Sequence, residues 1–473
     1  MRNKWLHKAA LLAISTLLLA GCSSAPTKEQ EKQSTLKVMY SDESYFFKQY
    51  GDLFAMKHPN IDVEVVSTSG MNQYDPEKDH SKAFDKLVEK EKPDVIMLNT
   101  DNYAKYAADG KLMELDTLIQ RDKYNTDTIY PALLDQLKEQ GGGKLYGLAP
   151  SFYGDAIFYN ADLFKKYGVD IPKDGITWQE LLDLARRFPT DGDDKSRIYG
   201  FGNEYAMGIN DLAQQIASTE GLKYINPDTK KVTINTDSWK KVFKQAMDAV
   251  ESKAIYNPKD GGFDGGTMEE YYKSQLFLMG RMAVTRGNTN ILQNIKEAKN
   301  AIKDYKPFGV GIVAGPVDPS QPDKSRNMAV NEIFCIRANS ENADAAWEFI
   351  KFVNGDEFAK IKSRNLSNGL LTRMGYSTEY DGHSLEAFYK LKPDLESNLS
   401  STGDPIPFDF YMKLHPLIEK EIGLVADKQK SIDEALTTIQ EEGQAELDQA
   451  IKERDAEKGK ESESSDQAST GTK

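Results

Sequence analysis

Short β-type runs alternate with helical patterns in the first part of this chain, and this alternation limits the folds it can adopt. A strand pattern over 36–40 precedes helical spacing of large apolar residues over 44–57, and an alternating strand pattern follows over 61–66. A further helix lies around Leu87, and a buried-strand run covers 94–98. Strands separated by helices of this length predict βαβ units and a mainly parallel sheet.

Size, charge and motif content exclude several classes of protein. The 473 residues are enough for two domains. The formal net charge of −14 argues against binding to nucleic acid or to anionic membranes. The five histidines lack zinc-site spacing, and no phosphate loop, dinucleotide motif or nucleophile elbow occurs. We therefore expect neither a metal nor a cofactor.

The N-terminus has the pattern of an export signal. Three basic residues precede the apolar run 9–20, which is too short to span a bilayer, and the run ends in Leu19-Ala20-Gly21-Cys22. This segment resembles a bacterial lipobox, which implies cleavage before Cys22 and attachment of acyl chains such as palmitate to that residue. We therefore expect a lipoprotein anchored at the extracytoplasmic face of the cell membrane.

Eight sequence blocks occur in order along the chain. They are KPDVIML at 92–98, YAADGKL at 106–112, KLYGLAP at 144–150, FYNADLF at 158–164, TWQELL at 177–182, GRMAV at 280–284, AAWEFIKF at 345–352 and GLLTR at 369–373. The ordered set, which covers about residues 36 to 450, resembles the family 1 extracellular solute-binding proteins. These are the carbohydrate-type receptors of ABC importers.

The resemblance implies an α/β, two-lobe, periplasmic-binding-protein-like fold with hinge crossovers and a ligand cleft between the lobes. Crossovers are expected near 152–155, 330–332 and 366–369. Such a protein captures an oligosaccharide or sugar derivative by hinge closure and delivers it to ABC permease subunits. We expect it to act as a monomer and not as an enzyme.

The expected divisions of the chain combine this resemblance with the composition of its ends. They are a signal peptide over 1–21, lipidated Cys22 with a flexible spacer over 22–35, lobe one over 36–152 plus 331–368, lobe two over 153–330 plus 369–452, and a disordered tail over 453–473. On this division, neither lobe is continuous in sequence.

Residues suited to binding a sugar occur at the predicted strand ends and crossovers. Aromatic rings cover the C–H faces of a sugar, whereas carboxylates, amides and arginine pair with its hydroxyl groups. Ligands of such sheets lie beyond the carboxyl ends of the strands. The predicted ligand-binding residues are Asp42, Asn99, Asp101, Tyr103, Phe152, Tyr153, Asp155, Tyr205, Arg286, Asn288, Asn331 and Glu332.

Several alternatives remain open at this point. Asp101 matches the position of a sugar-binding acid in maltodextrin-type relatives, but aspartate is also a good helix N-cap. Arg286 follows a strand after which relatives often carry a tryptophan, and none is present here. This arginine can pair with an acidic sugar such as a uronic acid, or it can form an ordinary salt bridge.

Two other functions are compatible with the sequence. The same receptor architecture can bind a non-sugar polar solute such as a peptide or polyamine. A surface glycosidase is the less favoured alternative, and it requires two carboxylates about 5–10 Å apart across a cleft.

Overall fold

The structure is a computed structural model that describes residues 33–71, 80–193, 196–203, 207–257, 263, 265–395 and 406–470. Its strands are β1 (Ser34–Tyr40), β2 (Ile61–Ser67), β3 (Val95–Leu98), β4 (Gly147–Leu148), β5 (Ser151–Gly154), β6 (Ala156–Asn160), β7 (Tyr199–Gly202), β8 (Ile225–Asn226), β9 (Lys231–Val232), β10 (Met282–Gly287), β11 (Val310–Val313), β12 (Lys324–Ser325), β13 (Met328–Ala329), β14 (Ile333–Ile336), β15 (Leu370–Leu371), β16 (Glu379–Tyr380), β17 (His383–Ser384) and β18 (Lys392–Pro393). Its α-helices are α1 (Glu43–Phe46), α2 (Asp52–Lys57), α3 (His80–Glu91), α4 (Thr100–Ala108), α5 (Asp116–Asp122), α6 (Pro131–Gln140), α7 (Ala161–Tyr167), α8 (Trp178–Ala185), α9 (Ile209–Thr219), α10 (Asp237–Glu251), α11 (Met268–Ser274), α12 (Asn290–Ala301), α13 (Ala343–Val353), α14 (Asp356–Lys362), α15 (Phe408–Ala426) and α16 (Ile432–Thr470).

Within the described residues, a five-stranded sheet with the order β2-β1-β3-β14-β4 forms the centre of the first lobe. Strand β1 runs parallel to β2 and β3, as the βαβ pattern predicts. Strand β14 is antiparallel to β3 and β4, with Ile333 opposite Leu98. The prediction of a mainly parallel sheet is thus only partly confirmed. Strand β14 begins beside the last residue of β3, with Ile333 opposite Leu98, and it therefore runs in the opposite direction.

The second lobe is built on a four-stranded sheet among the described residues, with the order β11-β6-β10-β7. Here β10 is parallel to β7 and antiparallel to β6, and β11 is antiparallel to β6. Trp178 on α8 and Trp239 on α10 are both 2% exposed and lie in the core of this lobe. Their helical apolar patterns predicted core packing, and the structure confirms it.

A small sheet joins the two lobes. Its strands have the order β13-β5-β15, and each lies in or directly beside one of the three predicted crossovers. We call this three-stranded unit the crossing sheet. Gly369, just before β15, has φ +82°, and a Cβ atom there would lie 2.4 Å from the Phe152 carbonyl oxygen. Glycine is therefore required for the close approach of β15 to β5.

The ends of the chain were also predicted from composition. Residues 1–21, Cys22 and the spacer as far as residue 32 lie outside the described residues. At the other end, α16 continues to Thr470, so the backbone of 453–470 is helical where the sequence predicts a disordered tail. Ten of these 18 residues are glutamate, lysine, alanine, arginine or glutamine, which have high helix propensity.

Across the described parts of the chain, no helix combines the length and apolar character needed to cross a membrane. The described residues also contain no cluster of three or more histidine, cysteine, aspartate or glutamate side chains that could hold a metal ion. Cys335 on β14 is a buried free thiol, and burial raises its pKa.

Candidate functional site

Strand β5 presents its side chains alternately to the core and to the space beside the crossing sheet. Phe152 is 1% exposed and packs between the rings of Tyr130 and Tyr389, at centroid distances of 5.4 and 5.3 Å. Tyr153 points to the other side and is 36% exposed. Since alternate residues of a strand share a face, Ser151 lies on the side of Tyr153, and Asp155 follows directly after the strand. We call the surface formed by these three residues the β5 face.

The structure therefore corrects one prediction at this crossover. Phe152 was expected to contact the solute, but it belongs to the hydrophobic core. The sequence identified the right segment, whereas the two-residue period of the strand decides which side chains are accessible.

A carboxylate lies close to Tyr153 on the first-lobe side. Glu332 accepts a hydrogen bond from the Tyr40 hydroxyl at Oε1 and from the Tyr50 hydroxyl at Oε2. Burial and the charge of Glu332 both raise the pKa of these two tyrosines, so their hydroxyls remain donors. Tyr45 is 42% exposed, and its ring stacks beside Tyr40 at a centroid distance of 6.2 Å.

Tyr45 and Tyr153 both lie within the electrostatic influence of Glu332. For each tyrosine, burial is the larger cause of a raised pKa and the Glu332 charge is the next. The charge of Tyr45 is a further cause of the raised pKa of Tyr153. The result is a pair of partly exposed aromatic rings beside a carboxylate.

An arginine and an aspartate form the second-lobe side of the site. Arg286 on β10 donates to Asp155 Oδ2 from Nε at 3.0 Å and from Nη2 at 2.8 Å. Nη2 also donates to Asn327 Oδ1 at 3.1 Å, and Nη1 lies 3.5 Å from Gln215 Oε1. The guanidinium carbon is 5.9 Å from the centre of the Trp178 ring.

These contacts decide between the two roles considered for Arg286. Its side chain is 14% exposed, and its donors are directed to acceptors of the protein itself. The salt-bridge role is therefore the one observed, and the arginine holds Asp155 in place. Within the described residues, the hydrogen bonds to the Asp155 side chain all use Oδ2, which leaves Oδ1 available to a ligand hydroxyl.

The residues after β1 and β3 have local structural roles. Asp42 caps α1 by accepting from the Tyr45 backbone NH at 2.8 Å, and Asn99 caps α4 by accepting from the Asn102 NH at 2.9 Å. The cap of α4 is thus Asn99, and Asp101 is half-buried in the first turn of that helix. Both caps match the known preference of helix N-termini for these residue types.

Tyr103 is a second correction. It is 0% exposed, and its hydroxyl donates to the Leu137 carbonyl at 3.0 Å and accepts from the Tyr146 backbone NH at 3.1 Å. The strand-end rule located the segment correctly, but the helical period turns this ring towards the core.

The remaining predicted residues are dispersed. Asn288 accepts a hydrogen bond from the Asn290 backbone NH at 2.9 Å, at the start of α12. Asn331 is exposed directly before Glu332. Tyr205 lies outside the described residues. The structure thus brings Tyr153, Asp155, Arg286 and Glu332 to one region around the crossing sheet.

Sequence reasoning missed several partners of these residues. They are Tyr40, Tyr45, Tyr50, Gln215 and Asn327. The tyrosines belong to the apolar pattern of β1 and the following helix, which carries no sign of a polar role. Their association with Glu332 spans almost 300 positions of the chain, so no local motif could reveal it.

Comparisons with known proteins agree with this architecture. The arabinooligosaccharide-binding protein of Bacillus subtilis (strain 168) is 24% identical over 356 residues, which cover 73% of this chain and 75% of that protein. A family 1 extracellular solute-binding protein from Alicyclobacillus acidocaldarius has a TM-score of 0.60 at 14% identity, with 89% of this chain and 100% of that chain covered. A sugar transporter protein from Rhizobium etli, solved in an open conformation, has a TM-score of 0.58 at 19% identity, with 87% and 99% covered.

The two solved structures confirm the two-lobe α/β fold that the sequence predicted. The family model of bacterial extracellular solute-binding proteins matches residues 33–360. This match contains the β5 face, Arg286 and Glu332. Because it also spans more than half of the chain, the protein belongs to the family of bacterial extracellular solute-binding proteins.

Proposed function

We propose that this protein is the extracytoplasmic receptor of an ABC importer and that it binds a saccharide between its lobes. The observation that carries this proposal is the β5 face, where the partly exposed Tyr153 and the carboxylate of Asp155 lie two positions apart in the chain at the junction of the lobes. The named specificities of the Bacillus and Rhizobium relatives support a sugar as the solute. Because this family binds solutes, we abandon the glycosidase alternative.

The site has the two kinds of group that a sugar requires. The rings of Tyr45 and Tyr153 can pack against its C–H faces. Each oxygen of a carboxylate has two lone pairs, so each Glu332 oxygen can accept from the solute in addition to its tyrosine donor. Asp155 Oδ1 can accept from a further hydroxyl. Glu332 and Asp155 belong to different lobes of the proposed division, so a solute that engages both must bridge the lobes.

Closure of the lobes then follows from the short connections between them. The paired regions of β13 and β15 are only two residues long, and each pairs with β5. Small changes in the backbone dihedrals at these strands would rotate one lobe against the other. We propose the lobe limits given by the sequence, 36–152 plus 331–368 and 153–330 plus 369–452, because the limits fall in or near the crossing sheet.

The location and partners of the receptor form a further part of the proposal. Lipid attached at Cys22 would hold the protein on the membrane, and closed, solute-loaded monomers would dock on ABC permease subunits. Replacing the cysteine tests the anchor: Cys22→Ser should move the protein from the membrane fraction to the medium. Retention of this variant on membranes would contradict the lipid anchor.

A cationic solute such as a polyamine is the second candidate. A carboxylate beside tyrosine rings, as found at Glu332, also suits an ammonium group. However, Arg286 already donates twice to Asp155, and its positive charge opposes the binding of a second cation there. The saccharide is therefore the better match to the whole site.

A thermal-shift screen of the purified protein tests the class of solute. The panel contains neutral oligosaccharides, acidic oligosaccharides, oligopeptides and spermidine. A solute at 100 times its Kd adds roughly 2.7 kcal/mol to the free energy of unfolding, which raises the Tm by several degrees. We expect a shift with a saccharide. A shift with spermidine or a peptide and none with any saccharide would contradict the proposal.

A further inference from the structure

A cavity of about 250 Å³, lined by both polar and apolar side chains, lies in the first lobe beside the crossing sheet. It is lined on one side by Lys48 and Gln49, between α1 and α2, and on another by Lys362 and Asn368. Ser151 and Gly369, which belong to two of the crossovers, also line the cavity. All of the lining residues are described, and none of them is acidic.

Lys362 is the central charge of this cavity. Its Nζ donates to Gln49 Oε1 at 3.2 Å and lies 5.4 Å from the centre of the Phe358 ring. Burial lowers the pKa of Lys362, and the charge of Glu332 offsets only part of that effect. The ammonium group is therefore held by a neutral amide and an aromatic ring rather than by a carboxylate in direct contact.

The cavity is continuous with the β5 face. Ser151 lines the cavity and shares that face with Tyr153 and Asp155. Gly369 lines it too, and a Cβ atom on Gly369 would lie 3.3 Å from Tyr153 Cε1. From Ser151 to Asp155 the extended chain covers about 13 Å at roughly 3.3 Å per residue. A solute on the face can therefore place one end in the cavity.

We propose that this cavity, hereafter the lysine cavity, binds the carboxylate of an acidic saccharide, so that the receptor selects uronate-bearing oligosaccharides. Its volume is below the roughly 300–1,000 Å³ of sites for drug-sized ligands, so it accommodates one terminal unit. Lys362 and Lys48 supply two positive charges, which outnumber the single negative charge of the nearby Glu332. Gln49, Asn368 and Ser151 supply further polar groups to the wall of the cavity. This inference rests on the proposed saccharide function.

The test compares trisaccharides that differ only in the group recognised. Isothermal titration calorimetry of the purified protein uses trigalacturonate, triglucuronate, and the same compounds with their carboxyl groups reduced to primary alcohols. A charge-assisted hydrogen bond adds enough binding free energy that, in at least one of these pairs, the acid form should bind about tenfold or more tightly than its reduced form. Lys362→Gln should reduce that preference to less than threefold.

Lys360→Gln is the matched control, because Lys360 is exposed on the same helix and does not line the lysine cavity. We expect it to keep the wild-type preference. Lys48→Gln provides a second, independent variant at the cavity if Lys362→Gln does not fold, and it should also reduce the preference for the acid form.

The outcomes separate this inference from the proposed function. If a reduced, neutral trisaccharide binds as well as its acid form, the inference is overturned and the saccharide function stands. If the preference persists in both Lys362→Gln and Lys48→Gln, the lysine cavity is not where the carboxylate binds. If no saccharide binds, acidic or neutral, the proposed function fails and the inference fails with it.

Discussion

Replacing Gly369 by alanine should destabilise the crossing sheet more than the same change at a comparable glycine. Both Gly369 and Gly375 have positive φ, at +82° and +88°. Alanine in a left-handed conformation costs about 1–2 kcal/mol at either position. At Gly375 nothing lies within 4 Å of the new Cβ atom, whereas at Gly369 it would lie 2.4 Å from the Phe152 carbonyl oxygen.

The close contact adds a further cost at Gly369 alone. To relieve it, β15 must move away from β5, which weakens the pairing of Leu370 with Phe152 by about 1 kcal/mol per hydrogen bond. We therefore expect a loss of about 2–4 kcal/mol for Gly369→Ala and about 1–2 kcal/mol for Gly375→Ala.

Urea unfolding followed by tryptophan fluorescence measures this difference, because Trp178, Trp239 and Trp347 are all buried. With an m-value of about 3 kcal/mol/M, the midpoint of Gly369→Ala should lie roughly 0.5 M below that of Gly375→Ala. Equal midpoints would refute the reasoning, since they would show that β15 does not approach β5 as closely as described.

Three further predictions concern separate parts of the molecule. Asp155→Asn should weaken binding of the solute about tenfold in calorimetry, because it removes a charged acceptor; unchanged affinity would place the solute elsewhere. Burial raises the pKa of Asp85, but hydrogen bonds led by that from Tyr106 outweigh it and hold the pKa below its usual 3.8. Ionised Asp85 therefore stabilises the folded protein fully at pH values above 3.8, and this stabilisation is lost as the pH falls through the lowered pKa. Asp85→Asn should lower the Tm more at about pH 7 than at about pH 2.5. An equal decrease in Tm at both pH values would contradict this. In a Cys22→Ser background, Cys335 should react with a thiol reagent only after unfolding, and rapid labelling of the native protein would contradict its burial.

The sequence predicted the architecture well because periodicity reports on burial. The helical spacing around Trp178 and Trp239 correctly placed these residues in the core, although tryptophan is also a common sugar-binding side chain. The ordered sequence blocks led to the two-lobe fold. Strand direction in the first lobe was less predictable, because it depends on where the chain re-enters the sheet at Ile333 after visiting the other lobe.

The candidate site was predicted less completely. The strand-end rule selects a segment of a few residues, but the direction of each side chain decides whether it reaches the cleft. Tyr153 and Phe152 are adjacent in sequence and lie on opposite sides of β5. Likewise, the lysine cavity combines Lys48 with Lys362 from positions more than 300 residues apart, and neither position belongs to a recognisable motif.

The position of the solute on the β5 face is the central claim, and its most direct test is the affinity of Tyr153→Ala for the saccharide that gives the largest thermal shift. Loss of a stacking contact worth about 0.5–1.5 kcal/mol should weaken binding roughly 2- to 12-fold in isothermal titration calorimetry. Phe408→Ala, which removes an exposed aromatic ring on α15, serves as the control and should bind as the wild type does. Wild-type affinity in Tyr153→Ala would show that the solute binds away from the β5 face.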